Sequence, residues 1–550
     1  MRLPKLRTIP FLFALIRDSY FLSPLQRSLR QRVAKAHPRR EAQGAPLVVI
    51  QCVGDYFYFG LFSRIIGGLR KSGPLRVEQY SLRSLRQASA LSLRRFIWNS
   101  LNENFLSDWK WRRLYRAFAD RTAYCAAGFI APWTALRLWG AAFGLWRSLE
   151  DADGLARLTI RGVWVGDLIL DSYIRFKPAA ALHLTDLYLL VVIRQALKDL
   201  EKAFGYFGKR KPALLLTSYT TYIQHGVPAR VAAHLGVKVL AFSNMQEWTT
   251  EITSTSPWHT RSGSSYKQDF SALPGQEEKI ETAKRLLEAR LRGEIDSATP
   301  YMKTSAYGRN KDMAIDVKGM PVIFLHDFSD SIHIYRWIVF HDFWNWICFT
   351  IDTLKAAGIP FAIKPHPNQT SDATGAVDLL RAKYRDLPLI PTDVSNKQLV
   401  EAGMSCAVTV YGTVASEMAF MGIPTISSGD NPHISFDFCR TARSAAEYAS
   451  LLVSHRDLGQ EPAHMRRESC VFYHMHNLNL DQDQQMLRNE MLEFRRKLFF
   501  VSSPPPLPEI LSAIEKFGSV PVFDSFYANL YRELDGSRQA RDHSGSNAPK

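Results

Sequence analysis

Two series of short, β-branched apolar segments, each segment followed by a helical stretch, constrain this chain more than any other feature of its sequence. The first series opens at residues 46–53 and continues at 75–80, 213–217 and 237–242, with helical segments such as 186–204 and 228–235 between them. The second opens at 321–326 and continues at 360–364, 387–390, 406–410 and 424–427. Buried strands that alternate with helices build parallel sheets, because a parallel connection needs a crossover long enough to hold a helix. The expected fold class is therefore α/β, with two consecutive doubly wound, Rossmann-like domains. At 550 residues, 46% of them hydrophobic, the chain has material for two cores.

The boundaries this predicts are a basic leader over 1–44, a first domain over 45–275 with Trp- and Arg-rich helices inserted at about 88–150, and a connection over 276–315. A second domain over 316–500 follows, and then a tail over 501–550 made of a linker, short helices and a disordered terminus. The connection is expected because residues 274–310 are charged and helical at first, then rich in Ser, Thr, Gly and Asn.

Charge is uneven. Of a net +17, residues 1–121 carry +16, from 23 Lys and Arg against 7 Asp and Glu. The basic residues are interleaved with aromatics, as in Arg94, Arg95, Phe96 and Trp98 and again in Trp109, Lys110, Trp111, Arg112 and Arg113. That mixture suits an anionic membrane surface or anionic glycan, and no nucleic-acid-binding module accompanies it. No stretch approaches the ~18–20 apolar residues that span a bilayer. The apolar run Ile9 to Ile16 is short and meets Arg17 and Asp18, so it reads as an amphipathic leader and not a signal peptide. The six cysteines stand singly, without zinc-site spacing, and read as reduced thiols of a cytoplasmic protein.

Two segments carry chemistry. In Tyr411-Gly412-Thr413-Val414-Ala415-Ser416-Glu417 an apolar strand ends in Gly-Thr and a helix opens, closing at Gly422 with Pro424 beyond. A helix start at the carboxyl edge of a parallel sheet offers backbone N–H groups to an anion, and Gly412 allows a close approach. Glu417, about one turn in, is placed to accept from ribose or sugar hydroxyls. In Lys364-Pro365-His366-Pro367-Asn368 a strand stops at a rigid turn, which puts Lys364 and His366 where they can donate to a diphosphate and stabilise a leaving nucleotide. The alternatives are a plain strand-turn-helix and a turn histidine.

These two segments, followed by Gly429-Asp430-Asn431-Pro432-His433, resemble the carboxyl-terminal domain of bacterial surface-carbohydrate and capsule-biosynthesis glycosyltransferases. Upstream, Gly166-Asp167 through Asp171 and Arg175, and Tyr222 through His225-Gly226 to Arg230, resemble segments of the same group, so the likeness spans about 45–480. It implies a GT-B fold, a nucleotide-activated sugar held as substrate by the second domain, no cofactor, and an acceptor glycan on the first. Relatives that transfer glycerol phosphate tend to carry Ser-Ser where this chain has Gly412-Thr413. For the acceptor hydroxyl's proton, Asp55 after the first strand and Asp167 are candidate bases. Asp171, Arg175 and His225 are candidate cleft residues, and His326, with Asp327, lines the cleft from the donor side. The pairs Asp151/Asp153 and Asp481/Asp483 sit away from strand ends, so no metal site is expected. The expected activity is transfer of a sugar to capsule or lipopolysaccharide at the inner membrane face. A nucleotide-sugar epimerase and a non-catalytic glycan-binding or export-assembly protein are the alternatives.

Overall fold

The computed structural model describes residues 20–37, 44–81, 109–125, 130–177, 180–294, 313, 315–366, 371–499, 501, 503 and 505–545. The basic-aromatic segment from Arg94 to Trp98, the leader before Tyr20, and Pro367 and Asn368 lie outside them.

The first sheet holds β1 (Leu47–Cys52), β2 (Arg76–Ser81), β3 (Arg121–Cys125), β6 (Leu214–Thr217), β7 (Lys238–Ala241) and β8 (Thr250–Ile252). Its order is β3-β2-β1-β6-β7-β8, parallel except for β8 against β7. A two-residue hairpin pair, β4 (Thr159–Ile160) and β5 (Val163–Trp164), stands apart from it. The second sheet holds β9 (Pro321–Phe324), β10 (Ala362–Lys364), β11 (Cys406–Thr409), β12 (Thr425–Ser427) and β13 (Cys439–Thr441), all parallel in the order β10-β9-β11-β12-β13. In each sheet the order reverses once, between β1 and β6 and between β9 and β11. At such a switch point two crossovers leave in opposite directions and open a crevice beyond the carboxyl ends of the strands. The fold is thus two doubly wound domains, the GT-B arrangement. The central strands are buried on both faces, as β1 shows along its whole length.

Two boundaries differ from those expected. The helix Gln276–Leu291 is not a connection: its Ile280, Ala283 and Leu287 are buried in one cluster with Ala415, Ala419 and Met465 of the second domain. Of its charged residues only Arg290 is buried, and the rest lie toward the outer face. The tail holds helices, as expected, but they and the last helix of the expected second domain pack on the first domain. Helices Gln482–Leu498, Leu507–Lys516 and Val522–Gly545 return to the first domain, where Phe494, Ile514 and Phe523 share a core with Phe57, Phe62 and Ile66. Gly68 belongs to this packing, since a Cβ there would meet the Tyr527 ring at 1.9 Å. Cys52, Cys348, Cys406, Cys439 and Cys470 are buried thiols outside any disulfide.

Candidate functional site

At the second switch point His326, just past β9, reaches over to β11: its Nε2 lies 2.9 Å from Thr409 Oγ1 and accepts from Val410 N–H at 3.3 Å. The ring stacks on Phe343, with centroids 4.7 Å apart and planes 8° off parallel, and burial lowers its pKa to about 3. His326 is therefore a neutral imidazole with its proton on Nδ1. Thr409 Oγ1 also accepts from Gly412 N–H at 3.3 Å, and a Cβ on Gly412 would press to 2.9 Å of that oxygen. The turn 409–413 is thus tied to His326, and Gly412 is required by close approach. Thr413 caps the helix Val414–Phe420 without spending its hydroxyl on the cap, and it is exposed. His366, at the end of β10, is partly buried and within electrostatic reach of His326, Asp327 and Lys364; burial lowers its pKa. His326, His366, Gly412 and Thr413 are thus brought to one sheet edge.

Lys364 and Glu417 are placed otherwise than expected. The Lys364 ammonium is buried and bonds the Val394 carbonyl, and burial lowers its pKa to about 8. It is tied to the loop that precedes the helix Asn396–Glu401, with Asp393 and Glu417 as its charged neighbours. Glu417 is also buried: Arg290 Nη2 lies 2.6 Å from one carboxylate oxygen and Asn396 Nδ2 3.1 Å from the other. A carboxylate clamped on both oxygens locks the helix 276–291 to the helix 414–420, and it is not presented to a ribose.

On the first domain the residues past β1 and β6 converge in the same way. Asp55 caps the helix Tyr56–Ser72, accepting from Tyr58 N–H at 2.8 Å. Burial raises its pKa to about 6, against the opposing pull of the Tyr58 N–H and the Arg495 guanidinium. Gln51 Nε2 lies 3.0 Å from His225 Nδ1, and burial lowers the His225 pKa to about 4. Gln51 donates to Nδ1, so the His225 proton sits on Nε2. His259 joins through Thr220 Oγ1 at 2.8 Å and is likewise lowered to about 4 by burial. Arg495 is held by the Ser243 carbonyl at 3.0 Å and acts electrostatically on Asp55, Tyr58 and His259. Asp55 is the carboxylate of this cluster, and its raised pKa fits a group that takes a proton near neutrality. Sequence reasoning missed Gln51, His259 and Arg495. Arg495 lies in the helix 482–498, far along the chain, and no local pattern marks it.

Asp167, the other candidate base, accepts both Nη atoms of Arg230 at 2.6 and 2.7 Å and is buried. That pair fastens the helix Gly166–Phe176 to the helix Tyr222–His234 and leaves Asp167 without the free oxygen a base needs. Gly166 precedes it because a Cβ there would sit 1.8 Å from the Leu155 carbonyl oxygen.

Asp171 and Arg175, on the same helix, face the second domain. Arg175 Nη1 donates to the Ser329 carbonyl and hydroxyl at 3.3 Å. Asp171 lies 2.7 Å from His333 Nδ1, His333 Nε2 lies 2.9 Å from His341 Nδ1, and His341 Nε2 reaches Asp153 at 2.5 Å. This Asp-His-His-Asp chain crosses from one domain to the other and back, from a buried carboxylate to an exposed one. His333 is held above its ordinary value, burial being outweighed by the Asp171 carboxylate. Asp151 and Asp481 are helix caps, bonding Gly154 N–H at 2.6 Å and Gln484 N–H at 2.7 Å. Among the described residues Asp437, His464 and Glu468 bring ligand atoms within 4.8 Å of one another, and the Lys267 ammonium lies 2.7 Å from both carboxylates, bridging them.

No family model and no curated protein matches the chain. Solved structures do. One is UDP-GlcNAc 2-epimerase from Neisseria meningitidis bound to UDP-GlcNAc, at 9% identity over 77% of this chain and 96% of that one, TM-score 0.22. Another is the Methanocaldococcus jannaschii UDP-GlcNAc 2-epimerase in complex with UDP-GlcNAc and UDP, at 10% over 76% and 93%, TM-score 0.26. A third is the glycosyltransferase SnogD from Streptomyces nogalater, at 9% over 85% and 98%, TM-score 0.18. At these values the similarities carry no argument about reaction or substrate, and the fold stands on the strand orders of the two sheets.

Proposed function

We propose that this chain is a glycosyltransferase that moves a sugar from a nucleotide-activated donor to a surface glycan at an anionic membrane face. The observation that carries the reading is the pairing of two switch-point edges. The second sheet presents His326, His366, Gly412 and Thr413, a set of donors and close-approach backbone suited to a diphosphate. The first presents Asp55 with a pKa of about 6 beside the neutral imidazoles of His225 and His259. In this reading His366 and Thr413 hold the donor phosphates and stabilise the charge that develops as the nucleotide leaves. Asp55 takes the proton of the acceptor hydroxyl while the new glycosidic bond forms.

The membrane face is supported by the helix Pro132–Arg147. Trp133, Leu136 and Phe143, at one-face spacing, are 82%, 63% and 53% exposed, and the helix carries Arg137 and Arg147 with no acidic residue. Among the described residues no helix is long and apolar enough to cross a membrane. The test is nucleotide release from a panel of nucleotide sugars with and without membrane-extracted glycan. Release that depends on the glycan and is lost in Asp55→Asn supports transfer. Interconversion of the donor sugar without any glycan overturns transfer in favour of an epimerase, and no turnover with either overturns it in favour of a binding protein.

A further inference from the structure

The Asp171-His333-His341-Asp153 chain has more hydrogen bonds than its ordinary protonation can fill. Three bonds join its four members: Asp171 Oδ1 with His333 Nδ1 at 2.7 Å, His333 Nε2 with His341 Nδ1 at 2.9 Å, and His341 Nε2 with Asp153 Oδ1 at 2.5 Å. Each bond needs one proton. A neutral imidazole carries a single N–H, so two neutral histidines between two carboxylates leave one bond of the three without a proton. With the His333 proton on Asp171 and the His341 proton on Asp153, the remaining two nitrogens would face each other with lone pairs alone at 2.9 Å. The ring planes lie 16° apart with centroids at 5.3 Å, so these nitrogens meet edge to edge along their lone-pair directions and not through stacked faces. The arrangement therefore holds a further proton, and that count is the same whether the proton sits on His333, His341 or Asp171.

This proton lies at a domain boundary. Asp153 and Asp171 stand on the helices Ala152–Ala156 and Gly166–Phe176 of the first domain, and both histidines on the segment between β9 and the helix Phe343–Ala356 of the second. That segment is fastened to its own sheet edge: Tyr411 Oη donates to the Ser331 carbonyl at 2.8 Å, and Val339 N–H to the Ser428 carbonyl at 3.1 Å. The titratable and charged groups that face the chain are Asp167, Arg230, Arg157, Arg175 and Tyr222 from the first domain and Asp330 and Tyr411 from the second. Asp167 and Arg230 balance one another as a buried pair. The carboxylates of Asp153, Asp171 and Asp330 then exceed the guanidinium groups of Arg157 and Arg175, a surplus that favours keeping the proton. His333 is raised above its ordinary value, burial being outweighed by Asp171, while burial and then His333 lower His341, the pattern of one proton serving two rings.

We propose that this contact is a proton-operated latch between the domains, which take up one proton when the segment after β9 docks on the first domain and give it back when the segment comes away. Undocked, a histidine titrates at about 6.5; docked, the chain keeps its proton to a higher pH. Below about 6.5 the proton is already present and docking is fully favoured, and from there upward docking weakens about tenfold per pH unit until the docked value is passed. Because the segment rests on Tyr411, next to Gly412 and Thr413, the latch sets how firmly the turn at the second switch point is held against the first domain at a given pH. The latch is independent of which reaction the cleft performs.

The full chain with its histidine rings labelled with the heavy isotope of nitrogen tests this by NMR. At about pH 6 one proton should couple to two ring nitrogens at once, those of His333 and His341, assigned from His333→Gln and His341→Gln, and the signal should be gone by about pH 10. Hydrogen exchange at the backbone amides of 331–341, corrected for its intrinsic pH dependence, reads the docking itself, and protection in the wild type should fall about tenfold per pH unit above about 6.5. In His341→Gln the amide can donate to Nε2 of a neutral His333, which removes the need for the further proton, so protection in that variant should not change with pH. No shared proton at any pH, a shared proton unchanged from about pH 6 to 10, or equal pH dependence of protection in the wild type and His341→Gln would overturn the latch.

Discussion

Asp55 concentrates the argument at the residue scale, because one carboxylate is asked both to cap a helix and to accept a proton. Its folded pKa of about 6 lies above the ordinary carboxylate value, so its contribution to stability is full at low pH and is lost as pH rises through about 6. Asn caps a helix as well as Asp and carries no charge. Asp55→Asn should therefore stabilise the protein at pH 7.5 by roughly 1–2 kcal/mol, a value reduced for partial exposure. The same change should abolish transfer. Thermal unfolding and the rate–pH profile check both, the wild-type rate rising with pH through a limb near 6. A stabilised variant that retains turnover would remove Asp55 from the chemistry. The motif residues His326, His366, Gly412 and Thr413 were legible in the sequence because each sits where an apolar strand stops. The directions of Lys364 and Glu417 were not, since a strand end fixes where a residue is and not which acceptor its side chain finds. Asp167 was misread for the same reason: its partner Arg230 lies on another helix and becomes visible only when the two pack.

At the scale of elements, strands with an apolar run announced themselves, the three-residue edge strand β10 among them, and the edge strands without such a run did not. β13 is three residues with Arg440 and Thr441 only half buried, and β3 and β8 are likewise edge strands without a continuous apolar run. The expected strand at 387–390 is reduced to one bridge, Ile363 with Leu389. Charge misled at the helix 276–291, whose buried stripe is narrow beneath a charged surface. The helix 132–147 is the opposite case. It packs Leu138 and Ala142 inward and leaves Trp133, Leu136 and Phe143 to solvent, with Arg194 set against Trp139 at 5.2 Å. Trp133→Ser with Phe143→Ser should reduce co-sedimentation with vesicles of mixed phosphatidylglycerol and phosphatidylcholine by about tenfold, with thermal stability unchanged because both side chains are exposed. Vesicle binding that survives the double substitution would move the membrane face elsewhere on the molecule.

For the whole molecule, the two domains are coupled by the Asp171-His333-His341-Asp153 chain, flanked by the Asp167–Arg230 pair. His333 is raised above the ordinary imidazole value, so its contribution is complete below about pH 6.5 and falls as pH rises through the raised value. The wild-type unfolding midpoint should decline as pH is raised above neutrality, and His333→Gln, which cannot change charge, should flatten that decline; equal slopes would mean the coupling does not titrate. The division into two doubly wound units was legible from the strand series alone. The return of the C-terminal helices to the first domain was not, because their apolar faces are complementary to a surface that exists only after folding. The central claim is that the second switch point binds a nucleotide-activated sugar, and thermal shift against CMP-, UDP-, GDP- and CDP-linked sugars tests it most directly, with His366→Ala and Thr413→Ala alongside. One nucleotide class should stabilise the wild type and fail to stabilise either variant. Stabilisation of the variants equal to wild type, or none by any nucleotide sugar, would contradict the account.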